Sequence, residues 1–82
     1  MRGMEIDVKV ATILLKKAEP PLRSTRFSLS VEDGTDVEGL IGTLGVPPRL
    51  VGSVTVNKRR SPRDRVLAHG DLVAIIPAIS GG

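Results

Sequence analysis

The sequence predicts an α+β domain in which one helix packs against a mixed sheet of four to five strands. Two segments near the start alternate apolar and polar residues, which is the period of a half-buried strand. A single stretch in the middle places apolar residues at helical spacing behind a capping pattern. Near the end, an apolar run without alternation is typical of a central strand covered on both faces.

The first two predicted strands lie on either side of a loop that contains Pro20-Pro21. Segment 5–15 opens with strict alternation and continues into the apolar run Ile13-Leu14-Leu15, so we predict one strand over its whole length. Segment 26–31 alternates again and predicts a strand antiparallel to the first. The apolar positions of this second strand, which we expect to face the core, are Phe27, Leu29 and Val31.

One helix is predicted between the second and third strands. Thr35 and Glu38 have the spacing of a capping box, with Thr35 as the capping residue, and Gly45 is expected to end the helix. Gly39 and Gly42 each cost up to about 1 kcal/mol relative to alanine, so docking on the sheet must stabilise this helix, and the glycines would let it lie close. The apolar residues of its docking stripe are Val37, Leu40, Ile41 and Leu44.

Three later segments complete the predicted sheet. Residues 50–56 form the third strand, 66–67 a very short apolar segment and 72–76 the central strand. Residues 57–62 and 69–71 are rich in turn formers and connect these segments. The order β-β-α-β-(β)-β, with a helix over a mixed sheet, is that of a ubiquitin-like β-grasp domain.

The composition excludes several classes of protein. The 82 residues suffice for one domain, and they include no cysteine and one histidine. The absence of cysteine excludes a disulfide framework, an iron–sulfur cluster and a thiolate zinc site. One histidine leaves little material for a metal site or a catalytic triad. We therefore predict no catalytic residue, no metal ligand and no bound cofactor, in a protein that is not an enzyme by itself.

Charge and hydropathy restrict the kinds of binding partner that we expect. Twelve basic and nine acidic residues give a net charge of +3, which suits an acidic partner or a phosphate-bearing ligand. The chain lacks the dense basic stripe and the stacking aromatic residues of a nucleic-acid binder, so nucleic acid is not favoured. No apolar run is long enough to span a membrane, and the first residues do not form a signal region. We expect a cytoplasmic protein without a membrane partner.

The predicted chemistry lies in the last six residues. We assign residues 1–76 to the β-grasp domain and 77–82 to a flexible tail that ends in Gly81-Gly82. Because glycine lacks a Cβ atom, an enzyme could thread Ile79, Ser80 and Gly81 through a narrow channel and bring the Gly82 carboxylate to the α-phosphate of ATP. The resulting acyl adenylate is open to attack by a sulfur nucleophile or an amine. A frayed terminus is the alternative interpretation.

The last third of the chain resembles the MoaD/ThiS family of sulfur carriers, and the resemblance continues more weakly over the rest. In that family a Val-Asn pair ends the third strand, a Leu-x-x-Gly-Asp turn precedes the last strand, and a proline and a terminal Gly-Gly close the chain. The matching residues here are Val56-Asn57, then Leu67, Gly70 and Asp71, and finally Pro77, Gly81 and Gly82. The amino-terminal part lacks the aromatic-rich region typical of molybdopterin carriers.

The resemblance implies a ubiquitin-like sulfur carrier. An E1-like enzyme would use ATP to adenylate Gly82, and a persulfide enzyme or sulfide would convert the adenylate to a thiocarboxylate. The carrier would then bind the large subunit of molybdopterin synthase, or thiazole synthase in thiamine biosynthesis. There it would donate its sulfur to the cofactor precursor. The spacing from Asn57 to Gly70 and the presence of Pro77 favour the molybdopterin branch, whereas Ala78-Ile79-Ser80 is closer to the thiamine branch.

A docking surface for these partners is predicted beside the tail. Ile75 and Pro77 would supply its apolar part, although packing of Ile75 in the core is equally consistent with the sequence. Basic residues around one turn would attract an acidic partner, and a solvated loop is the alternative; the candidates are Arg59, Arg60 and Arg63.

Two other functions use the same fold. A ubiquitin-like modifier would be conjugated to target lysines through Gly82, and it needs the same activated tail. A non-catalytic β-grasp module would bind RNA or a regulatory partner, and deletion of the final glycines would not affect it.

Overall fold

The computed structural model describes residues 3–78, in which five strands form one mixed sheet in the order β2-β1-β5-β3-β4. β1 is antiparallel to β2 and parallel to β5, and β5 is antiparallel to β3, so the predicted β-grasp fold is confirmed. The strands are β1 Gly3–Val10, β2 Arg26–Glu32, β3 Val51–Val56, β4 Arg59–Arg60 and β5 Leu72–Pro77. The helices are α1 Thr12–Leu15 and α2 Val37–Leu44, and a 3₁₀ turn covers Pro48–Leu50.

The core lies between α2 and one face of the sheet. Alternating residues of β1 are buried, and so is the whole apolar stripe predicted for α2. Because strand side chains alternate between faces, the other face carries the polar residues of β1 and β2. Val54, Val56, Val73 and Ile75 extend the core across β3 and β5. Phe27, expected in the core, is only partly buried at its margin.

The first strand is shorter than predicted. β1 ends at Val10, and the run Ile13-Leu14-Leu15 belongs to the short helix α1. Leu14 is buried in the core, whereas Ile13 is 65% exposed. A run of three apolar residues has no period that separates strand from helix, which is why the single-helix prediction missed α1. A second difference is the position of the short strand. β4 pairs with β3 where only a turn was predicted, whereas the predicted short segment 66–67 forms no strand and contributes one isolated bridge from Val66 to Asp36.

The sequence predicted the end of α2 correctly but not the residue that caps its start. Asp36, not Thr35, caps the helix: its carboxylate accepts the backbone N–H of Gly39 at 2.7 Å. The Thr35 hydroxyl instead donates to the carbonyl of Glu32 at 2.7 Å and closes the turn after β2. The predicted stop at Gly45 is confirmed, because its φ of 74° is left-handed and a Cβ atom there would collide with the Glu19 carbonyl.

The two glycines inside α2 do not bring the helix closer to the sheet. Gly39 and Gly42 both lie on the exposed side, and a Cβ atom on Gly42 would meet no atom within 4 Å. The expectation of close packing at these positions was therefore wrong. Within residues 3–78, no helix is long and apolar enough to cross a membrane.

Candidate functional site

The site is the place where β5 ends and the chain continues towards Gly82. β5 lies between β1 and β3, so both of its edges are hydrogen-bonded. Beyond Pro77, the Ala78 N–H donates to the carbonyl of Leu50 at 2.7 Å. Pro77 pairs with Val51 at the start of β3 and Ala78 bonds to the residue before it, so the chain is held in place up to Ala78. The predicted tail residues Ile79, Ser80, Gly81 and Gly82 lie outside the described residues.

Gly52 allows the end of β5 to lie close to β3. The register between β3 and β5 shifts between Val51 and Ser53, which marks an irregularity at Gly52. A Cβ atom on Gly52 would lie 2.8 Å from the Ala78 Cα and 2.8 Å from the Pro77 carbonyl oxygen. Only glycine lets the backbone of β5 approach β3 so closely. Sequence reasoning missed this residue, and an isolated glycine inside a predicted strand was the available signal.

Apolar side chains surround the end of β5. A groove of about 110 Å³ lies on the α1 side and a second of about 280 Å³ on the open sheet face, and Pro77 lines both. Ile76 is 40% exposed on the open face, and Ile13 projects from α1. We call Ile13, Leu50, Ile76, Pro77 and Ala78 the root surface. Lys9 lines one groove and Lys17 the other, so both grooves have a cationic residue.

The structure corrects the docking role predicted for Ile75. Its side chain is 2% exposed and packs in the core, because strand alternation turns it towards α2. The neighbouring Ile76 takes the exposed position instead. Pro77 is partly buried, next to Ile76, and is the last residue of β5.

A hydrogen-bonded clamp fixes the start of β5. Asp71 is 8% exposed, and its carboxylate accepts hydrogen bonds from the Asn57 side-chain amide at 2.9 Å and from the Ala68 N–H at 2.8 Å. The Asn57 carbonyl oxygen in turn accepts the Leu72 N–H at 2.9 Å. This Asn57–Asp71 clamp joins the two turns whose residues carry the resemblance to sulfur carriers. Its role is structural: it connects the ends of β3 and β5 and satisfies a buried carboxylate.

The turn before β5 is also tied to β1. His69 accepts the Glu5 N–H on Nδ1 at 3.0 Å, and the Gly70 N–H donates to the Glu5 carbonyl at 2.8 Å. His69 itself is exposed. Among residues 3–78 no group of three or more histidine, cysteine, aspartate or glutamate side chains is arranged to hold a metal ion.

The predicted basic residues do not form one surface. Arg60 pairs with Thr55 and Arg59 with Val56, so their side chains point to opposite faces of the sheet. Arg60 shares the open face with Ile76. Arg63 bonds within the fold, donating to the Val51 carbonyl at 2.9 Å and lying 3.7 Å from the Glu38 carboxylate.

Comparison with known proteins places the fold and the family. The sequence matches the family model described as Mut7-C ubiquitin over residues 3–81. None of the curated proteins compared with this sequence matches it.

Three solved archaeal structures illustrate the fold. SAMP1 from Haloferax volcanii, a small archaeal modifier protein, is 22% identical, with 95% of this chain and 99% of that chain covered and a TM-score of 0.67. A putative molybdopterin converting factor, subunit 1, from Pyrococcus furiosus is 19% identical, with 93% and 99% covered and a TM-score of 0.72. The ubiquitin of Caldiarchaeum subterraneum is 18% identical, with 99% and 100% covered and a TM-score of 0.62.

These likenesses confirm the ubiquitin-like β-grasp fold and a structural relationship to a molybdopterin converting factor subunit. The family match extends over nearly the whole chain, including the residues that follow β5. The chain belongs to the Mut7-C ubiquitin family.

Proposed function

We propose that this chain is a sulfur carrier whose Gly82 carboxylate is adenylated by an E1-like enzyme and converted to a thiocarboxylate. The observation that carries the proposal is the geometry at the end of β5. The Ala78 N–H is hydrogen-bonded to the Leu50 carbonyl, so the position at which residues 79–82 begin is fixed. The exposed apolar side chains of the root surface lie beside this position, where we propose that a partner binds. In this proposal the domain is a co-substrate of its partners and not an enzyme by itself.

The proposed chemistry needs ATP and a sulfur donor, both supplied by partners. A carboxylate oxygen of Gly82 attacks the α-phosphate of ATP, and pyrophosphate leaves. Hydrosulfide then attacks the carbonyl carbon of the acyl adenylate, and AMP leaves with the electrons of the broken C–O bond. The product is a thiocarboxylate at Gly82. The carrier itself holds no cofactor in this scheme.

Partner binding is proposed at the root surface. Exposed apolar residues next to cationic side chains suit a partner that combines apolar contacts with acidic residues. Ile76 supplies the apolar contact on the open face, and Lys9 and Arg60 lie on the same face. Arg59 points to the other face and would contact the partner only from the edge of the sheet.

The structural relatives support two versions of this function. A putative molybdopterin converting factor subunit shares the fold, which supports sulfur transfer in molybdopterin synthesis over the thiazole of thiamine. A small archaeal modifier protein also shares the fold, which supports conjugation to target lysines as the second candidate. Both require activation of Gly82, and they differ only in the nucleophile that attacks the adenylate.

One experiment separates the two candidates. The isotopically labelled chain ending at Gly82 is incubated with a cytoplasmic extract of its source organism, ATP and sulfide, and its intact mass is measured. A carrier gains the mass difference between sulfur and oxygen. A modifier appears instead in high-mass adducts that contain the label. A chain without Gly82, and the full chain without ATP, should show neither change.

An unchanged mass and no adducts in the complete extract would contradict activation of Gly82. The extract must load an endogenous carrier in the same reaction, which shows that the activating enzyme and sulfur donor are present.

The binding role proposed for the root surface leads to a separate prediction. Ile76→Arg is expected to reduce loading of Gly82 at least about tenfold, because a buried charge replaces the apolar contact with the enzyme. Val66→Arg is the matched control, because Val66 is 61% exposed and forms a bridge to Asp36 at the start of α2, away from the root surface. Loading rates are compared by intact mass at equal protein concentration. Equal rates for both variants would exclude Ile76 from the contact.

A further inference from the structure

The further inference concerns β2, the edge strand on the side of the sheet away from β3 and β4. The Thr25 carbonyl, just before β2, accepts the Val10 N–H at 2.8 Å and so faces β1. Because residues of an antiparallel pair alternate, odd-numbered residues of β2 bond to β1 and even-numbered residues turn their backbone groups outward. β2 has no proline, lysine or bulge, and its only charged residues, Arg26 and Glu32, lie at its two ends, so its centre lacks the usual features that prevent strand pairing.

The edge is blocked at its ends and open in its centre. The Ser24 hydroxyl accepts the Arg26 N–H at 3.2 Å and donates to the Arg26 carbonyl at 2.8 Å. The Glu32 carbonyl accepts hydrogen bonds from the turn that follows. Within residues 3–78, the outward N–H and C=O groups of Ser28 and Ser30 have no partner. Two donors and two acceptors are therefore available to another strand.

A two-fold axis at Leu29 would satisfy all four groups. In an antiparallel pair with a second copy, Ser28 faces Ser30 of that copy in a hydrogen-bonded pair, and the symmetry repeats this pair. Leu29 then faces its own counterpart in a non-hydrogen-bonded pair. The open segment is thus complementary to itself in a single register.

Charges favour the same register. Arg26 faces Glu32 of the second copy, and the two-fold axis forms this pair twice. Within one copy Arg26 lies opposite Lys9, a residue of like charge, so a carboxylate from the second copy would offset their repulsion. A shift of two residues along the edge would lose both pairs.

The same register also accommodates Phe27, the only aromatic residue of the chain. It faces Val31 of the second copy on the side of the sheet that carries α2. Val31 lines a cleft of about 300 Å³ between β2 and α2, with Ser30, Glu32, Thr35 and Thr43 as its other lining residues. Phe27 is only partly buried within its own fold, so this contact would cover the rest of its ring.

We propose that the chain forms a symmetric dimer through β2, with a second copy as the partner and one continuous sheet across both copies. β1 separates β2 from β5, so the root surface of each copy stays free for another partner. The dimer is independent of the chemistry proposed for Gly82.

Cysteine cross-linking tests the register directly, because the chain has no cysteine of its own. Leu29→Cys places two thiols on residues whose Cα atoms are about 4.5 Å apart, within the range of a disulfide. This variant is expected to oxidise to a covalent dimer. Phe27→Cys and Val31→Cys should cross-link poorly alone and efficiently when mixed, since these positions face each other.

Charge exchange tests the same register in solution by sedimentation equilibrium of the full chain. Arg26→Glu and Glu32→Arg each place like charges opposite one another twice, and each is expected to raise the dimer dissociation constant roughly tenfold. The double variant should restore it to about the wild-type value. Both residues are exposed, so the substitutions should leave the monomer folded. The free energy of unfolding of each variant, measured at a concentration at which it is monomeric, checks this.

Three results would overturn the proposal. The wild-type chain could remain a monomer at every concentration, or the double variant could fail to restore the dimer. The amides of Ser28 and Ser30 could gain protection from hydrogen exchange only when a cell extract is added. That last result would assign the edge to a strand of a different protein.

Discussion

Replacing Gly52 with alanine is expected to lower the free energy of unfolding by about 2 kcal/mol and to slow the loading of Gly82. The new Cβ atom would lie 2.8 Å from the Ala78 Cα and 3.0 Å from its nitrogen, and these backbone atoms have to move. The hydrogen bond from Ala78 to Leu50 would then be lost, and residues 79–82 would no longer begin at a fixed point. Urea denaturation measures the first effect and intact mass the second.

Gly42→Ala is the matched control for this substitution. It adds the same methyl group at an exposed helix position where no atom lies within 4 Å, so stability should rise by up to about 1 kcal/mol. Its loading rate should equal that of the unchanged chain. If Gly52→Ala behaves like Gly42→Ala in both measurements, the close approach of β5 to β3 is not required.

Asp71→Ala should be more destabilising, with a loss of about 3 kcal/mol in the free energy of unfolding. Removal of the carboxylate breaks two partly buried hydrogen bonds, and the Ala68 N–H and the Asn57 amide lose their partner. The start of β5 would lose its connection to the end of β3. Thermal and urea denaturation both report the loss.

The control for this prediction is Asp64→Ala, which removes an exposed carboxylate and should change stability by less than about 0.5 kcal/mol. A double-mutant cycle with Asn57→Ala isolates the contact, and the two substitutions should be clearly non-additive. Additive effects would mean that Asn57 and Asp71 act separately and that the clamp is not one unit.

Much of the fold could be predicted because burial imposes a period on the sequence. The alternation in β1 and β2 and the apolar stripe of α2 each follow from one buried face. The left-handed stop at Gly45 also follows from local backbone chemistry. The motif Val56-Asn57 and Gly70-Asp71 could be recognised as a resemblance, but its physical role became clear only when Asn57 and Asp71 came into contact.

The remaining features depend on contacts between distant segments. The pattern of Ile13-Leu14-Leu15 is equally consistent with a strand and with a helix. In the structure these residues belong to α1, and Leu14 packs in the core. The capping role of Asp36 over Thr35 depends on the turn to Glu32. Whether Ile75 or Ile76 faces outward is set by the pairing of β5 with β3, and one residue of slip would exchange them.

The central position of β5 also has a mechanical consequence. If an activating enzyme draws residues 79–82 into a channel, as the proposed function requires, the force acts on β5 along its own axis, against β1 on one side and β3 on the other. Hydrogen bonds along both edges are then loaded in shear and must break together, whereas a strand peeled from an edge loses them one at a time. The two hydrogen-bonded edges of β5 would therefore let the domain resist unfolding while a partner pulls on the chain beyond Ala78.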